Sequence, residues 1–198
     1  MTKASQKVTR QNSRMRTGRS SRNRLLWIAG IGAATVGMTV LIFALLSPRP
    51  INIIDGVQVY NNLSRDHSDL AQTYAQTPPV GGMHNGIWQN CGIYDQPVRN
   101  ENAVHSLEHG AVWITYQPDL PQAAVDKLRS LVRGHDHVLL SPYPGLPKPV
   151  VATAWGLQLP LDDANDPRLP VFITRYEQGP QTPEPGAACS GGIGTPIS

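Results

Sequence analysis

The chain has 198 residues, with 17 lysines and arginines against 14 acidic residues and only two cysteines. Eight of the cations (Lys3, Lys7, Arg10, Arg14, Arg16, Arg19, Arg22 and Arg24) precede residue 25 with no acid among them, so a basic tail is joined to a body of net charge −5. No aromatic side chain interrupts that tail to stack on bases, which argues against nucleic acid as a partner, and the length fits one folded domain with extensions.

Residues 1–24 read as a cytoplasmic tail. Leu25 to Leu46, LLWIAGIGAATVGMTVLIFALL, is 22 residues long and carries no charge. As a helix it covers about 33 Å, enough for the hydrocarbon core of a bilayer. A cleaved signal peptide has a shorter apolar run and a small-x-small cleavage site, whereas ALLSPRP follows here. Arg49 is the one cation in the fifteen residues after the run, so charge asymmetry predicts a single-pass signal anchor in the cell membrane. Its N-terminus is cytoplasmic and its C-terminal domain extracytoplasmic. The expected partner is the lipid bilayer. Ala29, Ala33 and Gly37 also form a small-residue row that permits packing against a second copy or another membrane protein.

Residues 47–56 form a linker that starts with the stiff Ser47-Pro48-Arg49-Pro50. The folded domain is assigned to residues 57–178. Sixteen of the 18 prolines fall in residues 51–198, which predicts many turns. Ala111 to Tyr116 is a β-branched and aromatic run, typical of a buried strand. Asp119-Leu120-Pro121 opens a helix whose Val125, Leu128, Leu131 and Val132 share a face, and Gly134 closes it. His137 to Leu140 and Val150 to Leu159 read as further strands. Residues 167–177 read as a final helix, although VFITRY also suits a strand. The order predicts an α+β fold, a small mixed sheet with one or two helices, preceded by the transmembrane helix. From Gly179 the composition predicts a flexible Pro/Gly-rich tail, residues 179–198.

Cys91 and Cys189 either form a disulfide or remain as two thiols; there is no CxxC motif. Outside the cytoplasm a pair is more often bridged. A bridge here would close a loop of about 100 residues and pin the tail to the domain.

The chemistry lies in the histidines, four of which (His67, His84, His105 and His109) fall between Tyr60 and Gly110. In His105-Ser-Leu-Glu108-His109-Gly110, a helix puts His105 and His109 on one face with Glu108 close by. Two imidazoles so spaced can hold a transition metal, and a carboxylate can orient a ring or move a proton. The string HxxEH is also the inverzincin zinc-peptidase signature, in which Glu108 would be the general base. Its context is poor, because Gly110 ends the helix at once. Gly81-Gly82-Met83-His84 presents a thioether beside an imidazole, a pairing suited to copper. No Lys-Ser/Thr follows it, so it is not a phosphate loop. His135-Asp136-His137 offers another ligand pair on one side of a strand.

Several strings together carry a family resemblance. They are Tyr74, Thr77-Pro78-Pro79, Gly81 and His84; Gly92 and Tyr94; Val104 to Gly110; Tyr116, Pro118 and Leu120; Pro142-Tyr143-Pro144; and Ala154-Trp155-Gly156. The stretch from Tyr74 to Trp155 resembles the family catalogued as domain of unknown function 3105, and the likeness covers most of residues 57–189. It implies a membrane-anchored protein with one extracytoplasmic domain, and brings no reaction, cofactor or partner. His84, His105, Glu108 and His109 lie within the hallmark strings, whereas His135 and His137 lie outside them. Gly82 stands where a small polar residue is expected.

Two readings of function follow. In one, the domain is a metal-binding module for copper or zinc, with His84, His105 and His109 as ligands and Glu108 and Met83 supporting them. In the other it is a non-enzymatic scaffold or assembly protein of a membrane complex, and HSLEHG is a hydrogen-bonded turn. A zinc-dependent hydrolase of the HxxEH type stands behind both.

Overall fold

Val112, Ile114 and Tyr116 alternate with Trp113 and Thr115 along one fully buried strand, and this alternation sorts the domain into layers. The computed structural model describes residues 54–197. In chain order these contain β1 (Gln58–Val59), β2 (Gly92–Ile93), α1 (Asn100–Glu108), β3 (Val112–Tyr116) and α2 (Gln122–Val132). β4 (Val138–Pro142), β5 (Val150–Ala154), β6 (Leu157–Leu161) and α3 (Arg168–Tyr176) complete them.

The strands form one mixed sheet in the order β1-β6-β5-β3-β4-β2. β3 and β4 run parallel, joined through α2, and β2 extends the parallel part beside β4. β5 and β6 are an antiparallel hairpin, with β5 against β3 and β1 on the outer side of β6. Val112, Ile114 and Tyr116 belong to a core with Val125, Leu128 and Val132 of α2 and Leu169, Phe172, Ile173 and Tyr176 of α3. Trp113 and Leu139 belong to a second core with Tyr94 and with Ala103 and Leu107 of α1. The sheet thus lies between α2 and α3 on one face and α1 on the other. Trp113 satisfies its indole N–H on Ser141 Oγ at 3.0 Å, so its burial leaves no orphaned donor.

The fold is mixed α+β as expected, but with six strands and three helices among the described residues rather than one or two helices. The helix outside that expectation is α1. Eight of its nine residues are buried, including Glu101, Asn102, His105, Ser106 and Glu108, so it has no polar face for an amphipathic pattern to reveal. Val150–Leu159 is two strands rather than one, broken at Trp155-Gly156, where Gly156 adopts φ 70°. VFITRY is helical: Leu169, Phe172, Ile173 and Tyr176 recur at helical spacing on the buried side of α3.

Where composition predicts a loose tail from Gly179, the structure shows an anchored one. Cys91 and Cys189 form a disulfide with a sequence separation of 98. Around it Cys91 N–H donates to Cys189 O, Asn90 N–H to Ile193 O, and Ile197 N–H to Ile93 O, each at 2.8 Å. Low hydropathy does not loosen this segment because its main-chain groups pair with an edge of the domain. The basic tail (1–24), the apolar run (25–46) and most of the linker (47–56) lie outside the described residues. Among the described residues no helix is long and apolar enough to cross a membrane.

Candidate metal centre

α1 delivers its chemistry at its last turn. His105 and Glu108 lie in the helix, and His109 caps it with φ −74° and ψ 0°. Gly110 then turns the chain into β3 at φ 95°. A Cβ there would meet Gln178 Cα at 3.0 Å, so the turn and the close passage of residue 178 both call for glycine.

The loop from His84 to Asn90 is laid along α1. Asn85 N–H donates to Glu101 O and Gln89 N–H to Asn102 O, while Ser106 Oγ donates to Gln89 O at 2.6 Å. His67 arrives from a separate segment through a short parallel bridge to His84. His84 N–H donates to Asp66 O at 3.0 Å and Ser68 N–H to His84 O at 2.7 Å.

Three imidazoles are fixed in the same way. Nδ1 lies 2.7 Å from a main-chain carbonyl in His84 (Gly82 O), His105 (Asn85 O) and His109 (Ala188 O). A carbonyl can only accept, so each Nδ1 carries a hydrogen, and in the neutral ring Nε2 then presents a lone pair. Holding Nδ1–H on a carbonyl to aim Nε2 is how proteins orient metal-ligating histidines. Burial lowers the pKa of His84, outweighing the Gly82 carbonyl and Glu108, which act to raise it. Burial lowers that of His105 too, and its histidine neighbours push in the same direction. Both rings are therefore held in the neutral form that binds metals.

Glu108 completes the arrangement. Its side chain is 1 % exposed and its Oε1 accepts from Arg65 Nε at 2.6 Å. Its Oε2 faces His84 Nε2 at 2.9 Å and His67 Nε2 at 3.7 Å. Neither His84 Nε2 nor Glu108 Oε2 has a hydrogen-bond partner among the described residues. With His84 neutral, two buried acceptor atoms face one another, and a shared cation would relieve the repulsion between them. Ligands bonded at about 2.0–2.1 Å lie roughly 3 Å apart on an edge of the coordination polyhedron, and the 2.9 and 3.7 Å separations bracket that spacing.

Among the described residues two groups could hold a metal ion, each with ligand atoms within 4.8 Å of one another: His67, His84, His105 and Glu108, and His105, His109 and Glu184. The expected trio His84, His105 and His109 is thus divided between two groups, with His105 common to both. In the first group Glu108 offers a carboxylate oxygen alongside the imidazole nitrogens. Met83 has 39 % exposure, and its carbonyl accepts from Tyr74 Oη at 2.8 Å. His135 and His137 lie elsewhere, with His135 Nδ1 and the His137 N–H bonded to the Glu177 carboxylate. His67 and Glu184 were not among the expected ligands. Both sit in polar segments without periodicity, and both reach the site through long-range contacts.

An α+β domain carrying a histidine–glutamate cluster on a disulfide-pinned frame is the class that this geometry defines. The chain belongs to the family described as protein of unknown function (DUF3105), whose model matches residues 67–191. That span takes in every residue of both groups and both cysteines. No curated protein and no solved structure matches the chain.

Proposed function

We propose that the folded domain binds one divalent transition-metal ion through Nε2 of His67, His84 and His105 and Oε2 of Glu108. One observation carries the reading: His84 Nε2 and Glu108 Oε2, both buried, face each other at 2.9 Å, and with His84 neutral no donor lies between them. Three imidazole nitrogens and one carboxylate oxygen suit zinc or copper(II). Cys91 and Cys189 are bridged and offer no thiolate. Glu108 Oε1 is taken by Arg65 and Oε2 is aimed at His84 and His67, which favours a ligand over a general base and counts against the peptidase reading.

The ion is held outside the cytoplasm, on a domain tethered to the membrane by residues 25–46. The uncharged 22-residue run and the charge asymmetry around it support that placement. So does the disulfide, since such bridges persist in oxidising compartments. Contact with a second copy or another membrane protein rests on the Ala29, Ala33, Gly37 row.

The test is elemental analysis of the full chain in detergent, stripped with chelator and then dialysed against zinc and copper(II). The expected result is one ion per chain, lost in a His84→Gln/Glu108→Gln double variant and weakened in His67→Ala, a half-exposed position whose change leaves the core intact. Absence of metal from the wild type would overturn the reading and leave the scaffold role.

A further inference from the structure

Arg65 stands between two carboxylates. Its Nε donates to Glu108 Oε1 at 2.6 Å and its Nη2 to Glu184 Oε1 at 3.2 Å. Each carboxylate thus gives one oxygen to the same guanidinium and turns the other toward an imidazole. Glu108 Oε2 lies 2.9 Å from His84 Nε2, and Glu184 Oε2 lies 3.6 Å from His109 Nε2. His105 is between them, with its ring centroid 4.9 Å from that of His84 and 4.5 Å from that of His109.

His105 is the shared member of both groups, and it cannot serve both at once. Its Nδ1–H is held by Asn85 O, so Nε2 is its one ligand atom, and one lone pair binds one ion. Charge gives the same answer. With the imidazoles neutral, Glu108, Glu184 and Arg65 sum to −1, so one dication brings the cluster to +1. A second would bring it to +3 within a few ångströms, which is strongly repulsive in a partly buried site.

Resting on the metal-binding reading above, we propose that the cluster holds one divalent cation at two exclusive positions that share His105 and passes it between them. The inner position uses His67, His84, His105 and Glu108; the outer uses His105, His109 and Glu184. In the transfer the bonds to His67, His84 and Glu108 break and those to His109 and Glu184 form, while the bond to His105 Nε2 is kept. One carboxylate and neutral imidazoles surround the ion before and after, so no proton or electron moves. The outer position has one ligand fewer, and its carboxylate is 44 % exposed against 1 % for Glu108, so it is the exit toward an acceptor with ligands of its own. The protein is on this account a metal-transfer device rather than a permanent metal store.

Zinc release tests this. The zinc-loaded full chain is mixed with excess of a chromogenic chelator, and both stoichiometry and release rate are read for wild type, Glu184→Gln and His109→Gln. Metal-free melting temperatures verify that each variant folds. The expected result is one zinc per chain throughout, with release slowed about tenfold in both variants, the lower end of the range by which changes around a metal site act. Two zinc ions per wild-type chain would overturn the proposal, since both positions would then be filled together. Release that is unchanged or faster in the variants would overturn it too, because the outer position would then lie off the exit route. Failure of the wild type to take up zinc is a separate outcome that removes the metal-binding reading itself.

Discussion

Glu108 Oε2 lies 2.9 Å from His84 Nε2, with both side chains at most 1 % exposed, and the second oxygen of the same carboxylate lies on Arg65. A buried carboxylate compensated by one half-exposed arginine is poorly neutralised, and a bound dication would compensate it better.

Arg65→Ala should therefore destabilise the metal-free protein, because Glu108 is left buried without its cation, at a cost of about 1–3 kcal/mol. Zinc supplies the missing positive charge and should restore most of the loss. Urea unfolding with and without zinc measures both parts. A variant whose loss is the same in zinc would contradict the shared role of arginine and metal at Glu108.

Proton binding gives a second expectation. Burial lowers the pKa of both His84 and His105 from the ordinary 6.5, so below that pH the unfolded chain takes up protons that the folded chain refuses. The stability contributed by keeping these rings neutral is complete above about pH 6.5 and is lost as pH falls through their folded values. The metal-free protein should thus unfold at progressively lower urea between pH 7.5 and pH 5, with a shallower slope in His84→Asn. A midpoint that stays level or rises over that range would refute it.

The disulfide bears differently on the two proposed positions. Cys91→Ser/Cys189→Ser should cost about 2–4 kcal/mol, since the bridge closes a loop of nearly 100 residues. It should also loosen Ala188, whose carbonyl orients His109, and Glu184, whose N–H donates to Glu108 O at 3.1 Å. His67, His84 and Gly82, whose carbonyl holds the His84 ring, lie outside the tail that the bridge pins, so one zinc per chain should still bind. Loss of zinc from this variant while it remains folded would place the ion at the outer position instead.

Much of the sheet was legible because its strands and helices carry strong local patterns. Val112–Tyr116 is β-branched and aromatic, and the stripe Val125, Leu128 and Val132 has helical spacing. The site was harder to read. HSLEHG drew notice to His105, Glu108 and His109, yet spacing alone could not show that His109 caps the helix and faces Glu184. His67 sits in a polar run and meets His84 through a main-chain bridge across 17 residues, which no periodicity announces. Glu184 and the tail around it looked unstructured by composition, because what orders them is a covalent bridge and main-chain pairing rather than apolar burial.

X-ray absorption at the zinc edge tests the central claim most directly. The zinc-loaded protein should show three imidazoles and one carboxylate oxygen at about 2.0–2.1 Å with no sulfur, and one imidazole fewer in His67→Ala. A first shell of oxygens alone, or one that His67→Ala leaves unchanged, would contradict a centre built from His67, His84, His105 and Glu108.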